Sequence, residues 1–145
     1  MLRDGPIPRF LHGFIEYAAA ALFFVAPFVL DFESSGAVAA SIVAGVVVLF
    51  LAASTEGPTS LINYVPLAAH VVLDYLLAVA LIAMPFIAGF SDETAPAAFF
   101  IGMGALHLLV TIGTRFKKRD ESKRLRRSKE REPAPEPSAP ARDPR

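Results

Sequence analysis

The chain contains no cysteine. Disulfides, thiolate metal sites and cysteine nucleophiles are therefore excluded, and cysteine usage says nothing about redox compartment. Basic residues are almost missing from most of it. Residues 1–114 hold Arg3 and Arg9 against eight acidic side chains. Charged residues make up 19% of the whole and hydrophobic ones 54%, a composition lean in charge for a soluble protein. No nucleophile triad, phosphate-binding loop or paired-cysteine site occurs, so no enzyme activity is expected and no motif asks for a cofactor. The formal net charge of zero conceals an asymmetry. Residues 115–145 carry twelve basic and six acidic side chains, which offsets the −6 of the preceding part. At 145 residues the chain is one domain's worth of material, an apolar body with a charged tail.

A transmembrane helix needs about 20 mostly apolar residues to cross a hydrocarbon core of roughly 30 Å. Stretches at 10–30, 37–54, 67–88 and 97–114 meet that requirement. They are interrupted by His12 and Glu16, by no charged residue, by His70 and Asp74, and by His107 respectively. Four soluble helices of this composition would leave almost no polar face for water. The expected fold is thus an all-α membrane protein with four transmembrane helices. The first stretch exceeds the 7–15 apolar residues usual in a signal peptide and is echoed later in the chain, so a retained span is expected.

Every Lys and Arg lies before the first span or after the fourth. The first and third connections are short and acidic, with Asp31 and Glu33 in one and Asp92 and Glu93 in the other. The middle connection, 55–66, carries Glu56 and no basic residue. By the positive-inside rule both termini are cytoplasmic, and the expected location is the inner membrane of the cell. The expected organisation is a cytoplasmic N-terminus at 1–9, a transmembrane domain at 10–114 and a cytoplasmic tail at 115–145.

Sliding the sequence by 58 positions (70 − 12) brings its halves into register. Pro8 falls on Pro66, His12 on His70, Glu16 on Asp74, Tyr17 on Tyr75 and Ala20 on Ala78. Pro27-Phe28 falls on Pro85-Phe86 and Phe32 on Phe90; one extra residue then sets Gly45 on Gly104 and Thr55 on Thr114. Repeat one is 8–55 and repeat two is 66–114, each a helical hairpin. An even number of spans per copy gives both the same orientation, hence tandem parallel repeats about an axis along the membrane normal. Positions 12, 16, 20 and 27 share an arc of about 80° on one helix face, as do 70, 74, 78 and 85. The first and third helices are expected to meet along those faces. Pro8 and Pro66 suit a first helical turn, whereas Pro27 and Pro85 are expected to loosen or kink the outer ends. Ala37, Ser41 and Gly45, four apart, form a small-residue stripe for close helix approach.

The segments Pro27-Phe28-Val29-Leu30-Asp31-Phe32 and Pro85-Phe86-Ile87-Ala88-Gly89-Phe90 resemble the SPW repeat of small bacterial membrane proteins. That family carries a Ser-Pro-Trp motif late in the first helix of each two-helix unit, followed by a Gly-Phe end. Here the motif reads Ala26-Pro27-Phe28 and Met84-Pro85-Phe86, and only Gly89-Phe90 keeps the ending. The resemblance covers residues 8–114. It implies a duplicated hairpin in which Pro27, Phe28, Pro85 and Phe86 are the structural motif, and it brings no catalytic residue.

The sharpest polar constellation is His12 with Glu16, mirrored by His70 with Asp74. Side chains four apart on a helix face each other, and two such pairs about an axis place two imidazoles and two carboxylates near one point. That set suits a divalent metal, a proton relay or a cationic ligand in a small transporter, channel or sensor. It equally suits a hydrogen-bonded clasp that orients the hairpins. Glu16 lies about 9 Å along the axis from Phe10, close to the headgroup region. His107 has no repeat counterpart and reads as a neutral histidine bonded to a neighbouring helix. The loop acids read as solvated.

Below the fourth span, residues 115–131 carry ten basic side chains: Arg115, Lys117, Lys118, Arg119, Lys123, Arg124, Arg126, Arg127, Lys129 and Arg131. They serve as a topology signal and are candidates for attraction to anionic lipid headgroups. Nucleic acid is not expected, because no aromatic platform accompanies the charge. After Arg131 a Pro-rich run reads as extended and disordered. Protein partners and a homo-oligomer remain open. The topology is testable directly. A reporter enzyme active only in the cytoplasm should work when fused after Arg145 and fail when inserted near Ser34 or Ser91. Activity at either loop contradicts the orientation.

Overall fold

A computed structural model describes residues 5–115; the basic and Pro-rich tail expected beyond Arg115 lies outside the described residues. The chain forms four helices, α1 (Arg9–Val29), α2 (Ser35–Ser54), α3 (Leu67–Ile87) and α4 (Thr94–Gly113). Each is long and apolar enough to cross a membrane. Their bounds fall within a few residues of the apolar stretches, because in lipid every backbone polar group must be bonded within its own helix.

The helix ends show why proline recurs at matched positions. Pro8 and Pro66 stand one residue before the first turn, as N-caps, rather than within it. Their extended backbone turns each carbonyl inward, where it accepts from the amides of His12 and His70 at 3.1 Å. At the other ends, α1 and α3 finish in the same way. Asp31 and Gly89 adopt left-handed φ values of 47° and 73°. The amides of Phe32 and Phe90 then reach back to the carbonyls of Pro27 and Pro85 at 3.0 and 2.9 Å. This is the Schellman pattern, in which a residue of positive φ turns the chain and the next one buries an apolar side chain. Phe32 and Phe90 are both buried.

Proline within a helix removes one amide donor and leaves the carbonyl four residues earlier without its partner. For Pro27 that carbonyl belongs to Phe23. The Ser41 hydroxyl of α2 donates to it at 2.6 Å. Ser41, Ala37 and Gly45 are buried, so the small-residue stripe does bring α2 close to α1.

Packing is densest within each hairpin, α1 on α2 and α3 on α4; the hairpins join along α1–α4 and α2–α3. The first and third helices therefore face each other across the bundle and meet through long side chains. At one end the chain closes on itself twice. Ile7 pairs with Thr114, and Val65 pairs with Thr55. The flanking bonds match as well: Arg115 N–H to Ile7 O at 2.9 Å, and Glu56 N–H to Val65 O at 3.0 Å. At the opposite end Phe23, Phe90, Phe99 and Phe100 form an aromatic core with centroids 5.2–6.0 Å apart. There Glu93, expected as a solvated loop acid, also accepts from the Ser34 amide at 3.2 Å and ties the α1–α2 and α3–α4 loops together. Hydrogen bonds from Ser34 hold its carboxyl below the usual range. Many large apolar side chains, Phe14, Leu22, Phe50, Val79 and Leu109 among them, point outward. That arrangement suits a bundle whose solvent is lipid.

Gly104 shows how tight the second hairpin is. A Cβ there would lie 2.7 Å from the Ile82 side chain and 2.9 Å from the Ala78 carbonyl, whereas a Cβ at Gly102 would meet nothing within 4 Å. Gly104→Ala should lower stability in detergent by about 1–3 kcal/mol, the usual cost of overpacking. Gly102→Ala should be neutral or stabilising, and thermal unfolding of the two variants checks the contrast.

Candidate functional site

His12 stands in the first turn of α1 and His70 in the first turn of α3, each started by its proline carbonyl. Glu16 and Asp74 follow one turn deeper on the same faces. All four side chains are buried, with Glu16 4% and Asp74 0% exposed. They converge on one point between the hairpins. His12 Nε2 lies 3.6 Å from Glu16 Oε1 and 3.3 Å from Asp74 Oδ2. His70 Nε2 lies 3.3 Å from each of the same two oxygens. The two Nε2 atoms are 3.4 Å apart, with the rings edge to face at 72°. Each histidine thus approaches the carboxylate of its own helix and that of the other hairpin.

The far side of each ring is held by a threonine. His12 Nδ1 is 2.8 Å from Thr114 Oγ1, and His70 Nδ1 is 2.8 Å from Thr55 Oγ1. Thr114 caps the C-terminal end of α4 and Thr55 that of α2, so each belongs to the opposite hairpin from the histidine it holds. Both hydroxyls also donate to a carbonyl one turn back, Thr114 to Val110 and Thr55 to Leu51, at 2.6 Å. A hydroxyl has one proton, and an oxygen–oxygen contact of that length requires it. The threonines can therefore only accept from the rings. Both Nδ1 atoms carry hydrogen, and both Nε2 atoms face the central point.

His107 on α4 joins from the side, its Nε2 3.5 Å from Asp74 Oδ1. It does reach a neighbouring helix, as the sequence suggests. Thr111 Oγ1 lies 3.5 Å from Asp74 Oδ2 while donating to the His107 carbonyl at 2.9 Å. Among the described residues, Glu16 Oε1, Asp74 Oδ1 and His107 Nε2 make no well-aligned hydrogen bond. A narrow cavity of about 30 Å³ beneath the α2–α3 loop reaches His12, Glu16 and His70 but not Asp74. Its volume is enough for about one water.

Sequence reasoning placed the four acid–histidine residues together and gave His107 a neighbouring helix, but did not assign Thr55, Thr114 and Thr111 to a second layer. The offset already matched Thr55 with Thr114, and His107 with Thr111 is an i, i+4 pair, so both signals were present. The motif residues divide by side. Pro27 and Pro85 are buried, whereas Phe28 and Phe86 are 71% and 66% exposed, on the outside of the bundle. Of the basic candidates only Arg115 is described, and its Nε donates to the Gly5 carbonyl at 3.2 Å. Lys117, Lys118, Arg119, Lys123, Arg124, Arg126, Arg127, Lys129 and Arg131 lie outside the described residues.

No curated protein and no solved structure matches the chain. The family model of the SPW repeat domain matches residues 10–114, nearly the whole of the four-helix bundle. With that match, and with two helical hairpins each ending its first helix at a buried proline, the chain belongs to the SPW repeat domain family.

Proposed function

We propose that this multi-pass membrane protein has a non-enzymatic, structural or interaction role, and that its two hairpins are tandem copies held together by the acid–histidine cluster. The observation that carries this reading is the reciprocity of the cluster. Each histidine bonds a threonine of the other repeat and approaches the carboxylates of both. The equivalent closures at Ile7–Thr114 and Thr55–Val65 support the duplication. A carboxylate at a span's centre costs roughly 2.5–3.5 kcal/mol on insertion scales; Glu16 and Asp74 lie nearer the span's end, and the approach of two imidazoles offsets part of a smaller cost. A transporter or channel would need a wet path, and the cavity at Glu16 stops short of Asp74.

In this reading both termini face the cytoplasm and the bundle lies in the inner membrane, as the distribution of Lys and Arg implies. In that orientation the basic side chains of 115–131 belong to the cytoplasmic side, where anionic lipid attracts a basic residue near the surface by about 1 kcal/mol before screening. A peptide of 115–131 should bind vesicles containing anionic lipid, less so as salt rises. Equal binding to neutral vesicles leaves only the topology role.

The clasp is tested with Glu16→Gln and Asp74→Asn, singly and together. An amide still donates to the Nε2 atoms, so thermal stability in detergent and complementation of a deletion strain should both survive. Glu16→Leu leaves its neighbours unpartnered and should cost about 1–2 kcal/mol, the range of interhelical hydrogen bonds in membranes. Loss of complementation by the double amide variant at unchanged stability contradicts a purely structural role.

A further inference from the structure

We propose that the point between His12, Glu16, His70 and Asp74 is a preformed tetrahedral site for a divalent transition-metal ion of the zinc class. The proposal rests on the cluster joining the hairpins and adds what occupies its centre.

Distances carry it first. A tetrahedral ion bound at about 2.0–2.1 Å to nitrogen and oxygen has ligand-to-ligand edges of about 3.3–3.4 Å. Five edges among the two Nε2 atoms, Glu16 Oε1 and Asp74 Oδ2 measure 3.3, 3.3, 3.3, 3.4 and 3.6 Å. One donor atom from each of the four residues lies within 4.8 Å of every other. A hydrogen-bonded clasp has no need for four donor atoms to be mutually close. A coordination shell does.

Proton placement carries it second. With the ring protons on Nδ1, the two Nε2 lone pairs and two carboxylate oxygens all point at one another. Added positive charge at the centre stabilises that arrangement. Two protons would place two N–H groups on nitrogens 3.4 Å apart. One divalent ion instead meets all four lone pairs and balances both carboxylates. Two imidazoles with two carboxylates form a donor set that zinc accepts.

The surrounding layer has the form such a site requires. Metal-bound histidines donate their other ring N–H to an oxygen partner, which fixes ring orientation. Thr114 and Thr55 accept those bonds from His12 and His70. His107 stands beside the second Asp74 oxygen, and the Glu16 oxygen that faces the site has no well-aligned hydrogen bond among the described residues. The cavity beneath the α2–α3 loop is lined by both histidines and Glu16 together with residues of that loop.

The test uses the full-length protein in detergent, stripped with chelator and then supplied with zinc(II) or cobalt(II) chloride. One zinc per chain should remain after desalting, and thermal unfolding should shift upward with added zinc. Cobalt should give the intense visible absorption of a four-coordinate ion, which needs no variant. Glu16→Gln with Asp74→Asn should abolish stoichiometric binding and the zinc-dependent shift while leaving metal-free stability in place. Thr55→Val with Thr114→Val should weaken zinc binding about 10–100-fold, the usual effect of removing outer-layer partners. Folded wild-type protein that retains no zinc, or binds cobalt only in its six-coordinate form, overturns the proposal. So does equal binding by the double amide variant. Failure to bind metal alongside tolerance of the amides leaves the clasp standing, so the two readings fail separately.

Discussion

A bundle whose exterior is lipid cannot rely on the contrast between apolar core and water to hold its helices together, because lipid tails are as apolar as leucine. What remains is packing against small residues and the demand that buried polar groups find partners. In this protein the second demand is concentrated at one place. Glu16, Asp74, His12 and His70 are each expensive alone in hydrocarbon and become tolerable only together. The hairpins meet where those four side chains meet. The rest of the end layer can be understood as keeping the four in position. Proline carbonyls start α1 and α3 so that each histidine occupies a first turn, and threonines at the ends of α2 and α4 orient the rings.

The opposite end of the bundle uses packing instead. Phe23, Phe90 and Phe100 are fully buried there, and the matched Schellman turns at Asp31 and Gly89 deliver Phe32 and Phe90 into the same layer. Ser41 bonds the carbonyl that Pro27 leaves unpaired, so the motif proline of the first hairpin is accommodated by its own α2. No hydroxyl stands at the equivalent position of α4, which holds Phe100. The two hairpins share one backbone plan and fill their seams differently, with serine and small residues in one and a large ring in the other.

Much of this was legible in the sequence. The four spans follow from apolar length. The pairing of His12 with His70 and of Glu16 with Asp74 follows from a fixed offset with helical spacing. The small-residue stripe at Ala37, Ser41 and Gly45 correctly named the face that α2 turns to α1. The Pro-Phe steps were less transparent, because a motif read from sequence does not separate the buried proline from the outward ring. The bond from Ser34 to Glu93 was not legible either, because only the folded arrangement brings Ser34 within bonding distance. His107 and Thr111 have no counterpart at the offset that pairs the other residues, since their role comes from α4 lying beside Asp74.

The account stands on energetic coupling between hairpins through the cluster. The most direct measurement is a double-mutant cycle in detergent with Glu16→Leu on α1 and His70→Leu on α3, two side chains 3.3 Å apart across the boundary between the hairpins. Side chains in one polar network couple by about 0.5–3 kcal/mol, whereas independent sites add to within about 0.5 kcal/mol. The account predicts coupling in the first range, with Phe28→Ala in place of the histidine change giving simple additivity. Additivity between Glu16 and His70 themselves would mean that the hairpins do not depend on this cluster, and would contradict the account at its centre.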